Sequence, residues 1–200
     1  MTTTPGFFEG TGMPDPDWWE ALWPDPEKVL VDAGLESGMS VVDLCAGDGW
    51  FTLPIARIAR HVTAIDIDAK LLEAAGTRLS NSNLSNYDTV VGDAYNLAGL
   101  VTAPVDFVFL ANAFHGAPDK PRLAKAVRSI LKVGGRFAIV NWHSRPREET
   151  EVLGQARGPA SGLRMTPEST INEVELSGLT LRSVIEIPAY HYAAIFENPV

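Results

Sequence analysis

Five short apolar runs, each closed by a turn, and all but the last followed by another element of the same series, dominate residues 41–140 and leave this chain few architectures to choose from. Val41-Val42-Asp43-Leu44-Cys45 is the first. A near-continuous apolar run of that length reads as a strand buried on both faces of a parallel sheet. Residues 50–60 follow, with Phe51, Leu53, Ile55, Ile58 and Ala59 at helical spacing. Pro54 falls near the first turn, where a missing N–H does little harm. Val62-Thr63-Ala64-Ile65-Asp66 is the second strand and 69–79 its helix, with Tyr87 to Val91 the third strand and Val105 to Leu110 the fourth. Residues 119–131 put Leu123, Val127, Ile130 and Leu131 on one helical face. Gly134-Gly135 is expected to stop that helix before a fifth strand, Arg136 to Val140.

The flanks extend this plan. Residues 1–14, rich in Thr, Gly and Pro, are expected to form a flexible segment, and 15–200 a single domain with an N-terminal helical extension. Asp17 is expected to cap a short helix bearing Trp18, Trp19 and Trp23. Asp25 is expected to cap a second, with Pro26 first and an end near Ala33. Asn141 to Met165 is polar and rich in Arg, Glu and Gly, and a loop that long is expected to be functional or mobile. Thr166-Pro167-Glu168 opens a helix to about Leu176. Leu179–Ile187 and Tyr190–Phe196 then form an antiparallel hairpin, with Tyr190 and Tyr192 on one face and His191 on the other. The pattern predicts an α/β fold of three layers, doubly wound around a mostly parallel sheet with one antiparallel strand.

Charge narrows the function. The net charge is −9, with 16 Lys and Arg against 25 Asp and Glu. Arg145, Arg147, Arg157 and Arg164 are the nearest approach to a basic cluster, and Glu148, Glu149 and Glu151 interrupt it. Nucleic acid is therefore not an expected partner. No run approaches the roughly 20 apolar residues of a membrane span, and the N-terminal residues lack the layout of a secretory signal. One cysteine, Cys45, rules out an internal disulfide framework and a cysteine-rich metal site. No His, Asp and Glu cluster has metal-ligand spacing, so no metal is expected, and the cytoplasm is the expected compartment.

The chemistry concentrates where the first strand ends. Asp43-Leu44-Cys45-Ala46-Gly47-Asp48-Gly49 is a Gly-rich turn opening onto a helix, an arrangement that lets backbone approach a nucleotide cofactor and offers free N–H donors. Thr52 stands where a dinucleotide fingerprint has its third glycine, so that fingerprint is incomplete. Asp66, ending the second strand, can accept both hydroxyls of a ribose. Asp93, after the third strand in Val91-Gly92-Asp93-Ala94, can accept from an adenine amine while the Ala94 N–H donates to a ring nitrogen. These groups would line one cleft at the carboxyl ends of the strands.

The runs VVDLCAGDGWFT, VTAIDID, VVGDAYNL, PVDFVFLANAFHGAPD and LKVGGRFAIVNW resemble, in order and spacing, the motifs of class I S-adenosylmethionine-dependent methyltransferases. The resemblance implies a Rossmann-like methyltransferase fold with a seven-stranded sheet whose last strand is antiparallel, and S-adenosylmethionine as cofactor, released as S-adenosylhomocysteine. It implies that Asp43, Gly47 and Gly49 lie near the methionine part, Asp66 at the ribose, and Asp93 and Ala94 at the adenine. Ala46 and Ile67 are counted among the same cofactor-binding positions, and Asn112 would meet the methionine part through its backbone. The Asn/Asp-Pro-Pro-aromatic motif of nucleic-acid amino methyltransferases is replaced here by Asn112-Ala113-Phe114-His115.

Methyl transfer from a sulfonium needs alignment first, and a base only where the acceptor must shed a proton. His115 is the expected base, because histidine titrates near neutrality. Trp142, His143, Arg145 and Trp19 are the expected acceptor contacts, and the acceptor is expected to be a small molecule. The competing readings are a protein or peptide methyltransferase, a non-enzymatic S-adenosylmethionine-binding module with an open or filled acceptor side, and an NAD-dependent oxidoreductase.

Overall fold

A computed structural model describes residues 6–199. Its centre is a seven-stranded sheet built from β1 (Ser40–Leu44), β2 (His61–Asp66), β3 (Tyr87–Val91), β4 (Val105–Ala111), β5 (Leu131–Trp142), β8 (Thr180–Ile187) and β9 (His191–Glu197). The spatial order is β3-β2-β1-β4-β5-β9-β8. Strands β1 to β5 pair in parallel, and β9 pairs antiparallel with both β5 and β8. One strand of the seven therefore runs against the rest, the Rossmann-like arrangement expected from the sequence.

Residue parity along the strands separates two cores. Val42, Leu44, Val108, Leu110, Phe137, Ile139 and Phe196 pack on one face. Val41, Phe107, Phe109, Ala138, Val140, Trp142 and Ile195 pack on the other. Neighbouring strand residues point to opposite faces, so an apolar run fills both layers at once. Helices cover both faces: α1 (Pro16–Leu22), α2 (Pro26–Asp32), α3 (Thr52–Ile58), α4 (Ala69–Asn81), the short α5 (Leu97–Leu100), α6 (Lys120–Ile130) and α7 (Pro167–Glu175). Four of the seven starts, those of α2, α4, α6 and α7, are set by acceptor side chains. Asp25 takes the Lys28 N–H at 3.0 Å, Asp68 the Lys70 N–H at 2.8 Å, Asp119 the Arg122 N–H at 3.0 Å and Thr166 the Ser169 N–H at 3.1 Å.

Several details differ from the sequence expectation. Helix α1 begins at Pro16 with Asp15 as its flanking residue and no side-chain cap, so Asp17 lies inside the first turn. Strand β5 begins at Leu131, which pairs with Val105 of β4, and Asn198 braces this stretch: its Nδ2 donates to Leu131 and Lys132 carbonyls, and its own carbonyl accepts the Gly134 N–H at 2.8 Å. Helix α6 thus ends before the two glycines that were expected to stop it. Tyr190 belongs to the turn before β9, where strand alternation does not apply. It stacks on Trp142 with His191, while Tyr192 points into the opposite core and bonds Thr170.

Residues 1–5 of the expected flexible segment lie outside the described residues. Within residues 6–14, Phe8 is buried, and the Glu9 N–H donates to the Gly116 carbonyl, so a strap of chain is anchored here. A Cβ at Gly116 would run into the Glu9 backbone, so only glycine lets the strap pass this close. The 141–165 stretch likewise has its own structure, a small hairpin of β6 (Glu151–Val152) and β7 (Gln155–Ala156) flanked by single 3-10 turns. No described helix is long and apolar enough to cross a membrane.

Candidate active site

The strand order reverses between β1 and β4, and a cavity of about 260 Å³ opens there at the carboxyl ends of the strands. The N-terminal strap roofs it, and residues of the 141–165 stretch close its far side.

The turn after β1 forms one end. Cys45, Gly47 and Gly49 all have positive φ, at +57°, +56° and +81°. Gly49 is required on two counts, since an added Cβ would lie 2.8 Å from the Ala75 Cβ of α4 as well as straining the backbone. Its contribution is to seat α4 against the turn, and it does not itself line the cavity. Asp66, 9% exposed, spans the turn from β2: Oδ2 accepts the Gly47 N–H and Oδ1 the Asp68 N–H, both at 2.9 Å. Two lone pairs on that carboxylate remain for a ligand. Asp43 is 3% exposed and accepts a 2.6 Å hydrogen bond from Thr52 Oγ1. Burial pushes its carboxyl up to about 7, the Thr52 hydroxyl opposes that, and the Asp66 charge reinforces it. The same burial, with Asp66, Asp43 and Asp93 nearby, raises the Cys45 thiol well above its usual range, so it stays protonated and is no nucleophile.

Of the sequence-predicted cofactor residues, Asp43, Ala46, Gly47, Asp66, Ile67, Ala94 and Asn112 meet in this cavity. Asp93 stands outside it, exposed, with Oδ1 capping the Tyr95 N–H at 2.9 Å. Asn112 sits at φ +55°, a conformation asparagine tolerates better than most residues, and its N–H reaches back to the Val140 carbonyl. His191, kept neutral by burial, donates Nε2–H to Asn112 Oδ1 at 3.1 Å. The buried Asn112 Nδ2 has no partner among the described residues, leaving an open donor in the cavity that Asp43 and Asp66 also line.

At the far end stand Trp18, Trp19, Phe51 and Trp142. Trp142 is held between Trp18, stacked at 6.2 Å, and Tyr190, stacked at 6.0 Å, with the Arg164 guanidinium 4.9 Å above its ring. His115, 3% exposed, also faces the cavity. Its Nδ1 lies 3.2 Å from Asn141 Oδ1 and its Nε2 3.4 Å from the Gly10 carbonyl, two acceptors of which a neutral ring can donate to one. Burial lowers its pKa, so the ring is neutral at pH 7. The other two predicted acceptor contacts are not in the cavity. His143 turns away and pairs with Glu186 at 2.9 Å, and Arg145 is exposed. Arg147 and Arg157 line the wall instead. The sequence reading also missed Trp18, Thr52 and the strap. The visible signal for Thr52 was a hydroxyl nine positions after the acidic Asp43, at the first residue of α3.

Residues 41–135 match the family described as a methyltransferase domain. The methyltransferase gedG of Aspergillus terreus is 33% identical over 103 residues, 52% of this chain and 31% of that protein. A ubiquinone biosynthesis O-methyltransferase of Xanthomonas axonopodis pv. citri is 29% identical over 140 residues, 64% of this chain and 57% of that one. This chain thus spans less than two thirds of the length of these curated relatives. A structure of a SAM-dependent methyltransferase from Aquifex aeolicus superposes with a TM-score of 0.76 at 23% identity, over 91% of this chain and 93% of that one, a likeness of fold. Residues 41–135 thus match a methyltransferase domain, and the sheet order agrees with the Rossmann-like methyltransferase fold.

Proposed function

We propose that this protein is an enzyme that transfers a methyl group from S-adenosylmethionine to a small-molecule acceptor, releasing S-adenosylhomocysteine. One observation carries the reading: the residues of the Asp43–Asp66 turn and the aromatic side chains of Trp18, Trp19 and Trp142 line one and the same cavity. A module that only bound the cofactor would need no such aromatic wall. The names of the gedG and ubiquinone-pathway relatives support the activity. Thr52, fully buried and bonded to Asp43, fills the place a dinucleotide site gives to glycine and disfavours the nicotinamide reading.

The residues fit the cofactor. Asp66 keeps acceptor capacity for ribose hydroxyls, Asp43 offers a carboxylate to an ammonium group, and the open Asn112 Nδ2 offers a donor to a carboxylate. Ala94 N–H and the rim residue Asp93 are assigned to the adenine. When bound, the sulfonium supplies a methyl group that is already activated, so the protein's work is alignment and exclusion of water. In the tautomer that donates Nδ1–H to Asn141, the neutral His115 takes a proton at Nε2 where the acceptor bears one, once the acceptor displaces the Gly10 carbonyl. We place the protein in the cytoplasm, where a lone thiol such as Cys45 stays reduced.

Calorimetric titration with S-adenosylmethionine, S-adenosylhomocysteine and NAD tests the cofactor, and a metabolite panel with labelled methyl donor tests the transfer. Binding of NAD with neither sulfur compound bound would overturn the reading.

A further inference from the structure

The acceptor chamber holds more hydrogen-bond donors than the protein itself uses. Trp18 and Trp19 are each 7% exposed, both line the cavity, and neither indole N–H meets an acceptor among the described residues. A buried donor left unpaired costs about 1–3 kcal/mol. Two of them on adjacent residues of one wall mark a place where an acceptor atom from outside belongs.

The stretch facing them adds positive charge. Arg147 and Arg157 line the same cavity, and the buried Arg157 Nε is also unpartnered. Arg164 lies behind them, 6% exposed over Trp142, with Nη1 unpartnered. None of the three makes an ion pair among the described residues, where eight other pairs form. Burial and the Arg147 charge both weaken Arg164's hold on its proton, with Glu148 opposing them. In a chain of net charge −9, three arginines gathered without a bonded carboxylate run against the composition. Arg147 Nε donates to the Gly158 carbonyl and Arg164 Nε and Nη2 to Pro159, Thr150 and Arg157, but none of these partners is charged. Guanidinium groups without a carboxylate at a cavity wall suit an oxyanion, which accepts from a fork of donors.

We propose that the methyl acceptor is a flat small molecule carrying an oxyanion. Its ring lies along the cavity wall that Trp18, Trp19 and Phe51 line, and its charged group takes hydrogen bonds from Arg147, Arg157 and the two indoles. This rests on the methyltransferase reading above.

The test separates the two. Binding of S-adenosylhomocysteine is first measured by calorimetry, and the saturated complex is then titrated with 2-naphthoate, 2-naphthamide and 2-naphthyl phosphate. The carboxylate, the phosphate or both should bind at least about tenfold tighter than the neutral amide, and the stronger of the two identifies the oxyanion. Arg147→Gln and Arg157→Gln should each bring that ratio to within about twofold, with the thermal midpoint and S-adenosylhomocysteine affinity as folding controls. Equal affinity for the three probes, no binding of either anion, or an anion preference that survives in both variants overturns the proposal while leaving the cofactor site standing. Failure of S-adenosylhomocysteine to bind overturns the methyltransferase reading, and this proposal with it.

Discussion

Replacing Asp66 by asparagine perturbs two functions at once, and the structure separates their magnitudes. Both carboxylate oxygens hold backbone N–H groups, those of Gly47 and Asp68, at 2.9 Å in a site only 9% exposed. Asparagine keeps the shape but sets an NH2 against one of these donors. Losing one hydrogen bond to a charged acceptor costs about 1.5–3 kcal/mol. At this chain length each kcal/mol moves the unfolding midpoint by about 2–4 °C, so the ligand-free protein should melt about 3–12 °C lower. Ribose hydroxyls lose a charged acceptor as well, and a comparable loss per bond raises the S-adenosylhomocysteine Kd by about ten- to a hundredfold. The assay is calorimetric titration and thermal unfolding of the same samples. A midpoint that falls while the Kd stays within about twofold would refute the ribose role and leave Asp66 as a brace for the turn. The variant has an internal check: Asp66 helps raise the Asp43 carboxyl, so Asp43 should titrate below its present value of about 7.

Three further outcomes are expected. Asp43 binds its proton more tightly folded (about 7) than unfolded (3.8), so its contribution to stability is complete below the unfolded value and lost as pH rises through the folded one. Unfolding of the ligand-free protein between pH 7.5 and 5.5 should therefore show a stabilising limb of at most about 1.4 kcal/mol per pH unit that Asp43→Asn removes; an identical slope in the variant would mean the carboxyl is already ionised. The His115 ring resonances should titrate below 6.5, and a midpoint above it would mean that solvent or a carboxylate reaches the ring. Gly49→Ala forces a Cβ onto Ala75 at φ +81° and should cost at least about 2 kcal/mol, read as a lower thermal midpoint; an unchanged midpoint would show that the turn relaxes freely.

Local signals account for most of the sheet and for half of the site. Strand β3 is read from the sequence to the residue, and β1, β2 and β4 to within one, because each is a buried run bounded by turn residues, and period and punctuation are properties of neighbours in the chain. The Asp43–Gly49 turn and Asp66 are legible for the same reason, since a helix opening after a strand places them at one sheet edge. The start of β5 was not legible, because its partners Val105 and Asn198 are distant in the chain. Nor was the exclusion of His143 and Arg145 in favour of Arg147 and Arg157, since their directions depend on the β6–β7 hairpin and on Glu186 across the sheet.

By itself, then, the order of residues determined the doubly wound sheet and the Asp43–Asp66 end of the cleft, through short-range periodicity and the chemistry of strand ends. Only the tertiary structure decided what roofs the cleft and walls its aromatic end. The strap residues meet His115 and Gly116 across more than a hundred positions, and Trp18 meets Trp142 across a similar span. Contacts of that range leave no periodic trace in a sequence, because they depend on where helices and loops are carried by the sheet beneath them.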